Sequence, residues 1–164
     1  MTVEPAAPFT APWFPAQVSL RIDRDRAPEA VAAELPAPSA WSSSQGGREW
    51  LWLGPDEWLV VGPVGSQAEM ANELGAALAG THHSVVEVGS NRAVFDLTGP
   101  DRHALLAKGC GLDVHPRSWR AGVCAQTLLA RVPVILQERH DGTRVFVRPS
   151  FAGYLAAWLD DAAR

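Results

Sequence analysis

Lysine is almost missing from this chain, one residue in 164, and cysteine occurs only twice, at positions 110 and 124. Two cysteines are too few for a secreted disulfide framework, and they lack the C-x-x-C spacing of zinc or thioredoxin-like sites. Free thiols in a reducing cytoplasm are therefore expected. With 14 basic and 18 acidic residues, a formal net charge of −4 and no basic stripe, the chain is a poor fit to nucleic acid. No apolar run approaches the roughly 20 residues needed to span a bilayer. Nor does a basic segment followed by an apolar core mark an export signal, so no membrane association is read. The lone Lys108 lies outside any G-x-x-x-x-G-K-[ST] loop, and neither Gly46-Gly47 nor Gly62 to Gly65 gives the three close glycines of a dinucleotide fingerprint. The five histidines, at 82, 83, 103, 115 and 140, lack the i, i+4 spacing of helical metal ligands, and no metal site is read.

Tryptophan, by contrast, is abundant. Seven stand at 13, 41, 50, 52, 58, 119 and 158, more than a modest core needs, and Trp is enriched at protein interfaces. Residues 1–16 carry prolines at 5, 8, 12 and 15 and read as an extended arm; residues 17–164 read as one domain. Within the arm, Trp13 and Phe14 are expected to insert into a partner, the competing reading being that they fold back on the hairpin that follows.

Val18 to Ile22 alternates as a strand does, a short helix is expected around Pro28 to Glu34, and the Pro-, Ser- and Gly-rich stretch 36–47 reads as loop. Trp50 to Leu53 and Trp58 to Val61 flank a Gly54-Pro-Asp-Glu57 turn and read as a hairpin. Both its faces are apolar, which calls for cover by the chain's own helices on one side and by something else on the other. Trp50 and Trp52 are accordingly candidates for partner contact.

Ser66 with Glu69 has the spacing of a capping box, opening a helix over about 67–79. Val85 to Val88 and Arg92 to Leu97 flank Gly89-Ser-Asn91 as a second hairpin, and Gly99-Pro-Asp101 opens a further helix ending before Gly109. Strands follow from Val123 to Arg131, Val134 to Glu138 and Arg144 to Arg148, with a type I′ turn expected at Asp141-Gly142. Phe151, Tyr154, Leu155, Trp158 and Leu159 then share one face of a closing helix. The sum is an α+β fold, two related hairpin-helix halves forming an antiparallel or mixed sheet covered by helices.

None of these elements carries visible catalytic chemistry. Ser66 belongs at a helix cap. Cys110 sits at a helix C-terminus, where the dipole disfavours a thiolate, and Cys124 lies in an apolar strand. Asp160 and Asp161 are adjacent at a helix end and cannot face one site as a dyad. Thirteen arginines suit bidentate pairing across interfaces, although codon bias in a GC-rich genome accounts for them equally well.

Three stretches add something more specific: Leu53-Gly-Pro-Asp-Glu-Trp-Leu59, Phe95-Asp-Leu-Thr-Gly-Pro-Asp-Arg102 running on through Leu105 to Val114, and Cys124-Ala-Gln-Thr-Leu-Leu-Ala-Arg131. Together with the closing aromatic helix they resemble the gamma subunit of heterotetrameric sarcosine oxidase over roughly residues 48–160. That family is similar in turn to the folate-binding domain of the glycine-cleavage aminomethyltransferase. The resemblance implies a non-catalytic assembly subunit that binds no cofactor alone. Its implied partners are alpha, beta and delta subunits, and FAD, FMN, NAD and tetrahydrofolate would be held by other subunits. The complex would oxidise sarcosine to glycine, pass the methyl carbon to tetrahydrofolate and form hydrogen peroxide. The alternative it raises is a free-standing folate-binding domain, for which Asp96 and Arg131 are the positions to inspect.

Overall fold

The computed structural model describes residues 8–36, 42–45 and 47–164; residues 1–7 of the expected arm lie outside them. Nine strands form two antiparallel sheets among the described residues. The first takes β1 (Ala16–Arg21), β2 (Ser42–Gln45), β3 (Arg48–Gly54), β4 (Glu57–Gly62) and β5 (Ser84–Glu87) in the order β2-β3-β4-β1-β5. The second takes β6 (Ala93–Leu97), β7 (Cys124–Leu129), β8 (Val132–Glu138) and β9 (Thr143–Val147) in the order β6-β9-β8-β7. Helices α1 (Glu29–Ala32) and α2 (Gln67–Ala77) belong to the first half, α3 (Arg102–Ala107) and α4 (Pro149–Ala162) to the second.

Side-chain alternation along the strands explains the layering. On β3 and β4, Trp50, Trp58 and Val60 point to one face and pack with Val18 and Leu20 of β1 against Met70, Leu74 and Leu78 of the α2 region. Leu51, Leu59 and Val61 point to the other face and meet Val94, Cys124, Ile135 and Phe146 of the second sheet. The far face of that sheet carries Phe95, Leu136 and Val145 against Leu105 and Leu106 of α3 and Leu155 and Leu159 of α4. The order is helices, sheet, sheet, helices. Each large side chain removed from water contributes on the order of 2 kcal/mol. The doubly apolar hairpin is thus covered inside the chain, and its second face does not require a partner.

Residues 8–15 extend the edge of β6. Trp13 and Val94 exchange backbone hydrogen bonds of 3.0 and 2.8 Å, and Thr10 N donates to Asp96 O at 3.0 Å. An edge strand that would otherwise present unpaired amides is closed by the chain's own arm.

Four local expectations are corrected. Val85 to Leu97 is no hairpin: β5 pairs with β1 and β6 with β9, so residues 88–92 cross from one sheet to the other. The buried Gln17 side chain holds that crossing, donating Nε2 to Gly89 O and Arg92 O at 3.3 and 2.8 Å. Part of the expected 36–47 loop is β2, whose backbone pairs with β3 from Ser42↔Leu51 to Gln45↔Arg48. Ser66 makes no cap to α2, because its Oγ donates back to Pro63 O at 2.8 Å. The left-handed hairpin turn is Ala130-Arg131, with φ of 50° and 69°, rather than Asp141-Gly142. Gly142 is needed for space: a Cβ there would run into the Leu97 carbonyl. On α4, Leu155 and Leu159 are buried, whereas Phe151 and Tyr154 lie exposed at the edge of the stripe.

Candidate functional site

The apolar layer between the sheets gives way at one end to charge. Asp96 on β6, Arg144 on β9, Gln137 on β8 and Cys124 on β7 form one row across the second sheet, and Glu49 on β3 faces it from the first. Glu49 Oε1 accepts from Arg144 Nη1 at 3.0 Å and from Arg139 Nη1 at 2.9 Å, while its Oε2 accepts from Gln137 Nε2 at 2.6 Å. Arg144 Nε donates to Asp96 Oδ1 at 2.9 Å, and Trp13 Nε1 donates to Asp96 Oδ2 at the same distance. The Arg144 guanidinium also lies over the Trp13 ring, 5.2 Å from its centroid. The arm, the first sheet and the second sheet are tied by this single network. Its charged centre is enclosed, with the Arg144 side chain 8% exposed and Glu49 17%.

A second cluster sits behind it on the helix side. Glu138 accepts from Arg102 Nη2 at 2.7 Å, lies 3.0 Å from His103 Nε2 and accepts from the Thr143 hydroxyl. An open cleft runs past both clusters, bordered by Ser42, Glu49, Gln137, Glu138 and Arg139. The carboxylates in its wall are already engaged by the chain's own guanidinia; Gln137 Oε1 is a buried acceptor left without a partner there.

The arrangement clamps two sheets and an arm. Burial pushes the Cys124 thiol up to about 12, outweighing a backbone hydrogen bond with Trp52 that acts in the opposite direction. Neither cysteine is in a disulfide, and Cys110 Sγ lies 3.9 Å from Thr127 Oγ1. His83 Nδ1 is 2.7 Å from Thr81 O, and His115 Nδ1 accepts from Arg117 N at 3.2 Å. Among the described residues, no three His, Cys, Asp or Glu side chains converge as metal ligands.

The residues singled out from sequence scatter. Trp50 is wholly buried in the core of the first half and offers a partner nothing. Trp52 packs part-buried against the same core. Trp13 is held by Asp96 and Arg144, so it folds back, onto β6 and against the apolar layer that Leu51, Leu59 and Val61 of the hairpin share with the second sheet. Phe14 remains 47% exposed. Asp96 and Arg131 share no pocket: Arg131 lies in the β7–β8 turn, six residues before Gln137 of the Asp96 row, roughly 20 Å at about 3.3 Å per residue. With both Asp96 oxygens engaged and Arg131 at the other end of the sheet, these two residues do not fit a folate.

Glu49, Gln137, Arg139 and Arg144 escaped the sequence reading. A signal was present: Arg144 interrupts the run Thr-Arg-Val-Phe-Val of a fully buried strand, and a buried cation requires a paired acid.

Comparison with known proteins agrees with this architecture. The family model for the sarcosine oxidase gamma subunit matches residues 25–164. The chain is 38% identical over 136 residues to the sarcosine oxidase subunit gamma of Corynebacterium sp. strain P-1, covering 82% of this chain and 66% of that protein. It is 39% identical over 117 residues to the Arthrobacter subunit gamma, covering 71% and 57%. The chain thus spans about two thirds or less of the curated relatives' length. A chain of the heterotetrameric sarcosine oxidase from Corynebacterium sp. U-96, solved with pyrrole 2-carboxylate, superposes with a TM-score of 0.79 at 32% identity, over 92% of this chain and 80% of that one. The aminomethyltransferase T of the Bartonella henselae glycine cleavage system shares the fold alone, with a TM-score of 0.62 at 17% identity over 88% of this chain and 42% of that one.

Proposed function

Since this chain belongs to the sarcosine oxidase gamma subunit family, we propose that it is a non-catalytic structural subunit of a heterotetrameric oxidase, assembled with alpha, beta and delta subunits. The observation that carries the reading is the clasp itself. Where the fold gathers charge, Glu49, Arg144, Asp96 and Arg139 engage one another, so the fold's polar centre is spent on holding the two halves and the arm together.

In this reading FAD, FMN, NAD and tetrahydrofolate are held by the other subunits. The complex removes two electrons from sarcosine to dioxygen, giving hydrogen peroxide, and the resulting methylene carbon passes to tetrahydrofolate and leaves glycine. Two cysteines outside any disulfide suit a reducing cytoplasm, and no helix among the described residues is long and apolar enough to cross a membrane. Of the aromatic side chains expected at a partner surface, Phe14 keeps that role.

The test is co-expression of the alpha, beta and delta subunits with and without this chain. The reading expects the chain to co-purify at a fixed ratio and the other subunits to lose assembly without it. A chain that never co-purifies would refute it.

A further inference from the structure

At the end of the second sheet away from the clasp, two arginines stand side by side with no acid between them. The register pairs Ala93 with Val147 on one side of β6 and Val94 with Trp13 on the other. One residue further, Arg92 faces Arg148 across one gap and Pro15 across the other. The row continues through Pro133 to Leu128, its register partner on β7. Val94 and Phe146, two residues back on the same face, pack against the first sheet. Beyond them that cover ends: Arg148 and Pro133 are exposed, Leu128 is 54% exposed and Arg92 is half-buried.

Like charges directly opposite one another in a sheet repel. Arg148 has reached only a neutral acceptor, donating Nη1 to Asn91 Oδ1 at 2.6 Å. Among the described residues the ion pairs engage other arginines, and neither Arg92 nor Arg148 has one. Burial, and then Arg148, hold the Arg92 guanidinium below its ordinary value; Glu57 acts in the opposite direction from beyond ion-pair distance. A part-buried cation beside a second cation, with its one acid beyond ion-pair distance, gains from an anion brought close to it. Two guanidinia on neighbouring strands of one row suit a carboxylate, and exposed Leu128, beyond Pro133 in the same row, gives the arriving segment an apolar neighbour.

We infer that Arg92 and Arg148, flanked by Pro133 and Leu128, form the seat for an acidic segment of a partner subunit, which places a carboxylate between the two guanidinia. This rests on the subunit reading above. It gives the assembly an electrostatic contact on the uncovered end of the second sheet, remote from the clasp.

The test compares the wild-type chain with the Arg92→Met/Arg148→Met double variant, each co-expressed with the other oxidase subunits, as retention of the chain on a tagged partner across a salt titration. The seat predicts a loss of retention of about tenfold or more and a flatter salt dependence in the double variant. It also predicts that the thermal midpoint of the isolated variant holds or rises, because the repulsion is gone. Leu128→Glu, at an exposed position that the core does not use, should weaken retention as well and stands in if the double variant folds poorly. Retention and salt slope equal to wild type in both variants would overturn the seat and leave the subunit reading intact. Inorganic phosphate raising the midpoint of the wild-type chain alone, with assembly unaffected by either variant, would overturn it in favour of a small free anion. Failure of the wild-type chain to assemble would remove the subunit reading and the seat together.

Discussion

Arg144 Nη1 donates to Glu49 Oε1 across 3.0 Å, and that contact joins β9 of the second sheet to β3 of the first. Glu49 serves Arg139 as well, so its removal takes one carboxylate from two guanidinia at once, leaving Arg144 only Asp96 and Arg139 only the exposed Asp141. Breaking a buried pair from one side costs about 3–5 kcal/mol; with the partial exposure of Glu49 we expect Glu49→Ala to cost about 2–3 kcal/mol. Chemical denaturation should show it as a lower midpoint with an unchanged slope. A Glu49→Ala/Arg144→Met pair should cost less than the sum of the single changes, as coupled residues do.

Trp13 should behave as part of the fold. Its indole donates to Asp96 and underlies Arg144, so Trp13→Ala removes a hydrogen bond, a cation–π contact and apolar cover together, for about 2–4 kcal/mol. A thermal midpoint lowered by several degrees in the isolated chain is the expected result. An unchanged midpoint would return Trp13 to the partner surface.

Gly109 lies where a Cβ would come within 2.5 Å of the Trp158 ring and 3.1 Å of Ala130 N. Gly109→Ala therefore forces α4 away from the end of α3, at about 1–3 kcal/mol by overpacking. Trp158→Leu in the same chain should restore part of the loss, read by the same unfolding measurement.

Cys124 adds an alkaline dependence. Its thiol is raised from 9.0 to about 12 by burial, so the folded chain keeps a proton that the unfolded chain releases. Below pH 9 the stability is fully present; between about pH 9 and 12 it falls, by at most about 1.4 kcal/mol per unit from this group. Cys124→Ala should flatten that part of the stability curve, and wild-type Cys124 should resist thiol reagents at neutral pH until denaturant exposes it.

Much of the fold could be read from the chain, for a physical reason: β3, β4, α2 and α4 carry strong local periodicity, and their turns are marked by Gly, Pro and Asp. What escaped depends on distant partners. β2 is a strand only because β3 supplies its hydrogen bonds, and the stretch around 89–91 looks like a hairpin turn until Gln17, more than seventy residues earlier, captures its carbonyls. The doubly apolar hairpin suggested an external surface, because nothing local reveals that a second sheet of the same chain will cover it. The clasp was missed for a similar reason: Glu49, Asp96 and Arg144 stand far apart in sequence and meet only when the two halves pack.

Whether this chain assembles a larger oxidase and performs no chemistry itself, as proposed, is decided by sarcosine-dependent peroxide release. The measurement is made on the purified chain, on the co-expressed alpha, beta and delta subunits without it, and on all four together. Turnover and flavin absorbance are expected in the four-subunit preparation, neither in the isolated chain, and lost or unstable activity when the chain is left out. Peroxide formed from sarcosine by the isolated chain, or full and stable activity in its absence, would contradict it.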